Sequence, residues 1–225
     1  MFYQTKFFKI IRELLVTPTY PFFLLFNKNK TFQLNNKKYH YCQKPYNRSW
    51  FNERTVEIPL ATHFLKNYPS DQVLELGNVS SHYQDQKHLV IDKYEKAKMV
   101  KNQDITTFKS SKKYQFIFSL STLEHVGWDE KPKNPPQTIL AIKNLYQHLS
   151  LGGVLLFTIP LGYNSYLDQQ ILNQRLKNAK TYFLTRNNFF NRWQEKKQKE
   201  LLPQNMSYDF LFMRAKTIAV VFINK

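Results

Sequence analysis

Gln72-Val73-Leu74-Glu75-Leu76-Gly77 is a short apolar run with no polar alternation, closed by an acid and a glycine. A strand with one wet face alternates apolar and polar residues. This one does not, so it reads as buried on both faces, as strands of a parallel sheet are. Working outward, His88–Tyr94 (HLVIDKY), Tyr114–Ser121 (YQFIFSLS) and Gly153–Leu161 (GVLLFTIPL) have the same character, and a short strand is expected near Met99–Val100. Thr181–Thr185 and Thr217–Asn224 (TIAVVFIN) follow. Between them, Asn52–Tyr68, Thr138–Leu149 and Tyr166–Lys177 carry apolar residues at helical spacing. Buried strands alternating with helices predict an α/β fold, a mostly parallel sheet with helices on both faces.

Residues 1–50 read differently, as an N-terminal appendage to a body over 51–225. Phe32–Tyr41 alternates apolar and polar residues about Asn35-Asn36, the signature of a β-hairpin. Phe2, Phe7, Phe8, Ile10, Ile11, Leu14 and Leu15 recur at near-helical spacing with Lys6, Lys9 and Arg12 between them. Two readings stand: a helix packed on the body, or an amphipathic helix lying on a membrane surface through residues 1–26. The apolar stretch Leu14–Phe26 is thirteen residues broken by Pro18 and Pro21, short of the roughly 20 that span a bilayer.

Composition bounds the rest. With 225 residues, 42% hydrophobic and 22% charged, the chain can fill a core and is not a disordered protein. One cysteine, Cys42, excludes an internal disulfide framework and points to a reducing, cytoplasmic setting. The net charge of +17 is uneven. Residues 1–50 hold nine Lys/Arg against one acid, 51–165 thirteen against eleven, and 166–225 eleven against four. Basic flanks suit a polyanion or an anionic surface, though solvated lysines are the simpler reading.

In a doubly wound sheet the ligand lies beyond the carboxyl ends of the strands. The first strand ends in Glu75, Gly77, Asn78, Ser80 and Ser81, where a glycine lets backbone approach a ligand. The second ends in Asp92, an acid placed to accept hydrogen bonds from both hydroxyls of a ribose, and Asp104-Ile105 follows where an adenine edge would lie.

These residues, in this order, resemble the class I S-adenosylmethionine-dependent methyltransferases, over roughly Asn52 to the C-terminus. The resemblance is carried by Asn52–Pro59 (NERTVEIP), Glu75–Asn78 (ELGN), Asp92–Glu95 (DKYE), Leu151-Gly152-Gly153, Thr158–Asn164 (TIPLGYN) and above all Ser121–Glu130 (STLEHVGWDE). It implies a seven-stranded, Rossmann-like sheet whose last strand is antiparallel. It implies S-adenosylmethionine as cofactor, held by Glu75, Gly77, Asn78, Asp92, Asp104, Ile105 and Ser119. Where the family carries three glycines after the first strand, Gly77 alone remains here, with Asn78, Ser80 and His82 in the other places.

The cluster after the fourth strand is the richest in chemistry. His125 titrates near neutral pH and suits a general base, with Glu124 and Asp129 as catalytic neighbours. Trp128, Glu130 and Tyr163 are expected to contact the acceptor. Some related O-methyltransferases bind a divalent ion with E-x-x-E-H at this place. Ser121 replaces the first glutamate here, so no metal is expected.

Two functions follow. One is an O-methyltransferase acting on a small-molecule or glycan acceptor. The other is a basic, non-catalytic interaction protein on the same fold, binding nucleic acid or a membrane surface. The fourth strand ends in Ser119-Leu120-Ser121-Thr122, without the D/N-P-P-Y/F run of amino-methylating DNA enzymes. Cys42 follows Tyr41, not the proline of a cytosine-5 enzyme, so no specific nucleic acid is expected.

Overall fold

The computed structural model describes residues 6–225. In chain order its elements are α1 (Lys6–Val16), α2 (Tyr20–Asn27), β1 (Thr31–Leu34), β2 (Lys37–His40), α3 (Arg54–Leu65), β3 (Val73–Leu76), β4 (Leu89–Asp92), β5 (Val100–Asn102) and β6 (Tyr114–Leu120). Then come α4 (Gln137–His148), β7 (Leu149–Pro160), α5 (Ser165–Leu172), β8 (Ala179–Arg186), β9 (Trp193–Lys196), β10 (Tyr208–Asp209), β11 (Arg214–Ala215) and β12 (Thr217–Asn224). Phe2 of the expected N-terminal helix lies outside the described residues.

The strands form one eight-stranded sheet, β5-β4-β3-β6-β7-β12-β8-β9, and two small antiparallel pairs, β1-β2 and β10-β11. The ladders β5-β4, β4-β3, β3-β6 and β6-β7 are all parallel. β12 runs against β7. Gly152 donates to Lys225 O and Lys225 to Gly153 O at one end, while Leu161 donates to Thr217 O at the other.

The expectation of seven strands is corrected to eight. The extra strand, β9, is Trp-Gln-Glu-Lys and buries only Trp193. It pairs antiparallel with β8, Phe183 opposite Lys196 and Arg186 opposite Trp193. Such a polar edge strand is held by backbone bonds to one neighbour, so it carries no apolar pattern to read.

By backbone proximity the chain forms two compact units. The first gathers Met1–Leu60, Pro160–Gly162 and Tyr182–Ile218; the second gathers Ala61–Ile159, Tyr163–Thr181 and Ala219–Lys225. The first unit thus joins a long C-terminal segment to the N-terminal residues.

In the first unit Val16, Phe23, Trp50 and Phe51 form a buried cluster, with Tyr20 and Phe212 against it. The expected hairpin is present, and Asn35 and Asn36 both take positive φ (48° and 62°). That is the turn whose twist suits two antiparallel strands, and asparagine tolerates it. Pro59 sits inside α3, where it has no N–H to give Thr55 O. Cys42 N–H donates to that carbonyl instead at 2.8 Å, and Thr55 Oγ1 returns a bond to Cys42 O at 2.9 Å.

The second unit holds the core of the sheet. β3 is buried at all four positions, and Phe116, Ile117 and Phe118 of β6 and Leu155, Leu156 and Phe157 of β7 are fully buried. α4 buries Thr138, Ala141, Ile142, Leu145 and His148, the i, i+3, i+4, i+7 stripe of a helix laid on a core.

Candidate active site

All thirteen residues expected at the site belong to the second unit. A cleft of about 520 Å³ opens where β3, β4 and β6 end. Its wall includes Gly77, Asn78, Asp92, Asp104, Ile105, His125, Asp129 and Glu130. The place is the crevice that a doubly wound sheet leaves at its strand-order reversal.

The turn out of β3 is held without the usual glycines. Gly77 has φ +84°, and a Cβ there would collide with Thr122 Oγ1. Two requirements therefore meet at this glycine, a left-handed backbone and the close approach of the segment after β6. Beyond it, side chains organise the loop. Glu75 Oε1 accepts from Val79 N at 3.0 Å and Ser80 N at 2.8 Å. Its Oε2 accepts from Ser80 Oγ at 2.6 Å and lies 2.9 Å from His88 Nε2. Asn78 Nδ2 donates to Glu95 Oε1 at 2.7 Å, and Ser81 Oγ donates to Asn78 Oδ1 at 2.7 Å.

Asp92 closes β4 as a turn organiser. Its Oδ1 accepts from Tyr94 N at 2.8 Å and Glu95 N at 2.7 Å, and its Oδ2 from Asn78 N at 3.3 Å. Asp104 Oδ1 accepts from Thr106 N at 2.8 Å and from Thr106 Oγ1 at 2.7 Å. Its Oδ2 is 2.9 Å from Lys93 Nζ, which also donates to Glu130 Oε1 at 2.8 Å. Lys93 thus ties two walls of the cleft together. Hydrogen bonds to Glu130 and Asp104 hold its ammonium above the usual lysine range. Burial pushes Asp104 upward, but Thr106 and Lys93 outweigh it and keep the carboxyl below its ordinary value.

The segment after β6 presents the titratable group. His125 Nδ1 lies 2.7 Å from Asp129 Oδ2, and Tyr163 donates its hydroxyl to the same oxygen at 2.7 Å. The Tyr163 ring meets the imidazole edge-to-face at 4.7 Å. Burial raises Asp129, but the bonds from His125 and Tyr163 prevail and the carboxyl sits below its usual range. Burial and then the bond to Asp129 push the Tyr163 phenol well above its ordinary value, so it stays a donor. An ionised Asp129 orients the imidazole with Nδ1 as the N–H and Nε2 as the basic nitrogen. Nε2 is 3.8 Å from Glu124 Oε1, beyond hydrogen-bond range.

Five expected site residues are not on the cleft wall, each for a physical reason. Glu75 is fully buried and spends its acceptors on the loop above it. Ser119 is fully buried in β6. Glu124 is 1% exposed, and its backbone carbonyl accepts from Asn164 Nδ2 at 2.9 Å. Trp128 turns toward Lys133, whose Nζ stands 4.1 Å from its ring centroid. Tyr163 is 5% exposed and reaches the site through Asp129. Conversely, Leu76, Val79, Lys93, Tyr94, Glu95, Gln103, Thr122 and Val126 line the cleft without having been assigned a role from the sequence. For Lys93 a signal existed, since it stands inside Asp92–Glu95. Its partners, eleven and thirty-seven residues onward, did not show in the local pattern.

The sequence matches no protein-family model and no curated protein. Among solved structures the chain is similar to the N-methyltransferase NodS from Bradyrhizobium japonicum WM9 in complex with S-adenosyl-L-homocysteine, at 13% identity and TM-score 0.44, over 76% of this chain and 91% of that one. It is similar to an rRNA methylase from Streptococcus thermophilus at 12% identity and TM-score 0.44, over 74% and 95%. It is similar to TehB from Haemophilus influenzae at 13% identity and TM-score 0.44, over 77% and 64%. By the order and direction of its own strands the chain has the Rossmann-like fold of methyltransferases, a mostly parallel central sheet with an eighth strand at its edge.

Proposed function

We propose that the chain is an S-adenosylmethionine-dependent methyltransferase that methylates oxygen on a small-molecule or glycan acceptor. One observation carries the reading: the hydrogen-bonded series Tyr163–Asp129–His125 ends on the wall of the same cleft that holds Asp92 and Asp104.

The residues fit a nucleoside bearing a short charged tail. Leu76, Ile105 and Val126 supply apolar wall for a flat base, and Gly77 opens the backbone where a side chain has no room. Asp92 would accept from the ribose through the Oδ2 lone pair that its turn leaves over, and Asp104 with Ile105 would border the adenine. When bound, S-adenosylmethionine supplies a methyl group activated on a sulfonium. What this chain supplies is alignment and a proton acceptor. His125 Nε2 takes the proton of the acceptor hydroxyl. Asp129 stabilises the imidazolium that forms, and Tyr163 holds Asp129 in place. The lack of a nucleobase-methylating signature after β6, and of a Pro-Cys pair, supports an acceptor other than DNA. The lone Cys42 supports a cytoplasmic setting.

Titration calorimetry with S-adenosylhomocysteine tests the reading. The wild type is expected to bind, and Asp92→Ala to lose about 1.5–3 kcal/mol, the range of charge-assisted hydrogen bonds. No heat from either S-adenosylhomocysteine or S-adenosylmethionine would overturn it and favour the non-catalytic interaction protein.

A further inference from the structure

The two N-terminal helices wear their apolar side chains on the outside. Among the described side chains of α1, Val16 and Arg12 are buried, whereas Phe7, Ile10, Leu14 and Leu15 are 66%, 53%, 70% and 59% exposed. At 3.6 residues per turn the four fall within an arc of about 140°, centred roughly opposite Val16. The pattern repeats in α2. Phe23 and Asn27 are buried, and Phe22, Leu25 and Phe26 are 61%, 70% and 43% exposed on the other side. Phe26 continues onto a neighbouring loop, packing at 4.5 Å on Phe190, which meets the 64%-exposed Phe189 at 5.8 Å. A helix that packs its stripe on its own protein shows the opposite arrangement. Scattered exposed leucines are ordinary, but bulky apolar side chains concentrated on two consecutive helices are not.

The surroundings are cationic. The unit that carries these helices has seventeen Lys/Arg against six Asp/Glu. Lys28 and Lys30, just past α2, are exposed, and Arg192 Nη2 donates to Phe26 O at 3.0 Å, placing a third cation at that end of the helix. The one acid among residues 1–50, Glu13, has Arg48 Nε 3.8 Å away.

We propose that this face docks the protein on an anionic lipid bilayer. The exposed side chains of α1 and α2 enter the boundary between headgroups and acyl chains, and Lys28, Lys30 and Arg192 sit at phosphate level. Among the described residues no helix is long and apolar enough to cross a membrane, so the contact is interfacial. A second copy of the chain is the weaker partner, because it would bring an equally cationic unit against this one, whereas an anionic surface attracts it.

Vesicle sedimentation of the full chain tests this. The protein is expected to pellet with vesicles of phosphatidylcholine mixed with phosphatidylglycerol and to stay in solution with phosphatidylcholine alone. Added salt should weaken the binding. Leu14→Glu together with Leu25→Glu changes two side chains that are mostly in water, and is expected to cut the partition coefficient tenfold or more. The same variant should melt and titrate S-adenosylhomocysteine as the wild type does, which separates lost docking from lost folding. Equal pelleting with both vesicle types, or with neither, overturns the proposal. So does a wild-type dimer in sedimentation velocity that the double variant dissolves.

Discussion

Tyr163 donates its hydroxyl to Asp129 Oδ2 over 2.7 Å, and His125 Nδ1 lies at the same distance from that oxygen. One carboxylate oxygen therefore aligns a histidine while being held by a phenol thirty-four residues away. In the proposed reaction the tyrosine acts through the aspartate, as a positioning residue, and His125 meets the acceptor.

Loss of His125 should separate chemistry from binding. His125→Ala is expected to lower turnover on the order of a hundredfold with little change in cofactor affinity, as for a lost general base. Tyr163→Phe removes one bond to Asp129 but keeps the ring against the imidazole. A smaller drop is expected, together with a displaced acidic limb in the pH–rate profile. Chelator should leave the rate unchanged. Activity that survives His125→Ala intact would leave alignment alone as the mechanism.

Glu75 is expected to be a stability residue. Its carboxylate is fully buried and accepts from two backbone N–H groups, the Ser80 hydroxyl and His88. Glu75→Ala strands those donors together and should cost about 3–5 kcal/mol in urea unfolding, the range for breaking a buried charged network. A loss of under about 1 kcal/mol, small for any buried polar group, would mean that the loop after β3 does not depend on it.

Glu53 should reveal itself through pH. It is buried beside Glu57, and burial followed by that neighbouring charge raises its carboxyl above the usual 4.5. A raised folded-state value means the folded protein holds the proton more tightly. The stability this contributes is complete below the unfolded value and is lost as pH rises through the folded one. Glu53→Gln keeps an acceptor for Ala215 N–H, 3.0 Å away, and removes the ionisation. The variant is expected to melt higher than wild type at neutral pH, with the difference closing toward pH 4. Parallel melting curves across that range would contradict the assignment.

Duplex DNA offers a check on the basic surface. If the lysines are solvated charge, gel shifts should show weak binding that disappears at moderate salt, because counterion release alone drives it. Tight, salt-resistant binding would point to the interaction-protein reading.

Much of this architecture was written locally. The apolar runs of β3, β6 and β12, which lack a strict polar alternation, announce burial on both faces, and Asn35-Asn36 announces a hairpin, because side-chain period and positive φ are properties of a few adjacent residues. The strand ends follow from the runs, and with them the positions of Gly77, Asp92, Asp104 and His125 at or just beyond those ends. What only the tertiary structure decided are pairings across long separations. Lys93 bridges Asp104 and Glu130, Tyr163 reaches Asp129, and the polar strand Trp193–Lys196 finds β8. The surroundings of Glu75, a residue the resemblance assigns to the cofactor, were settled in the same way: its carboxylate sits beneath the loop after β3, because burial is set by what packs above a residue. The outward stripe on α1 and α2 belongs here too. Sequence periodicity shows that a helix has an apolar side, but which side meets the protein depends on the partners it finds, and Val16 and Phe23 found them while Leu14 and Leu25 did not.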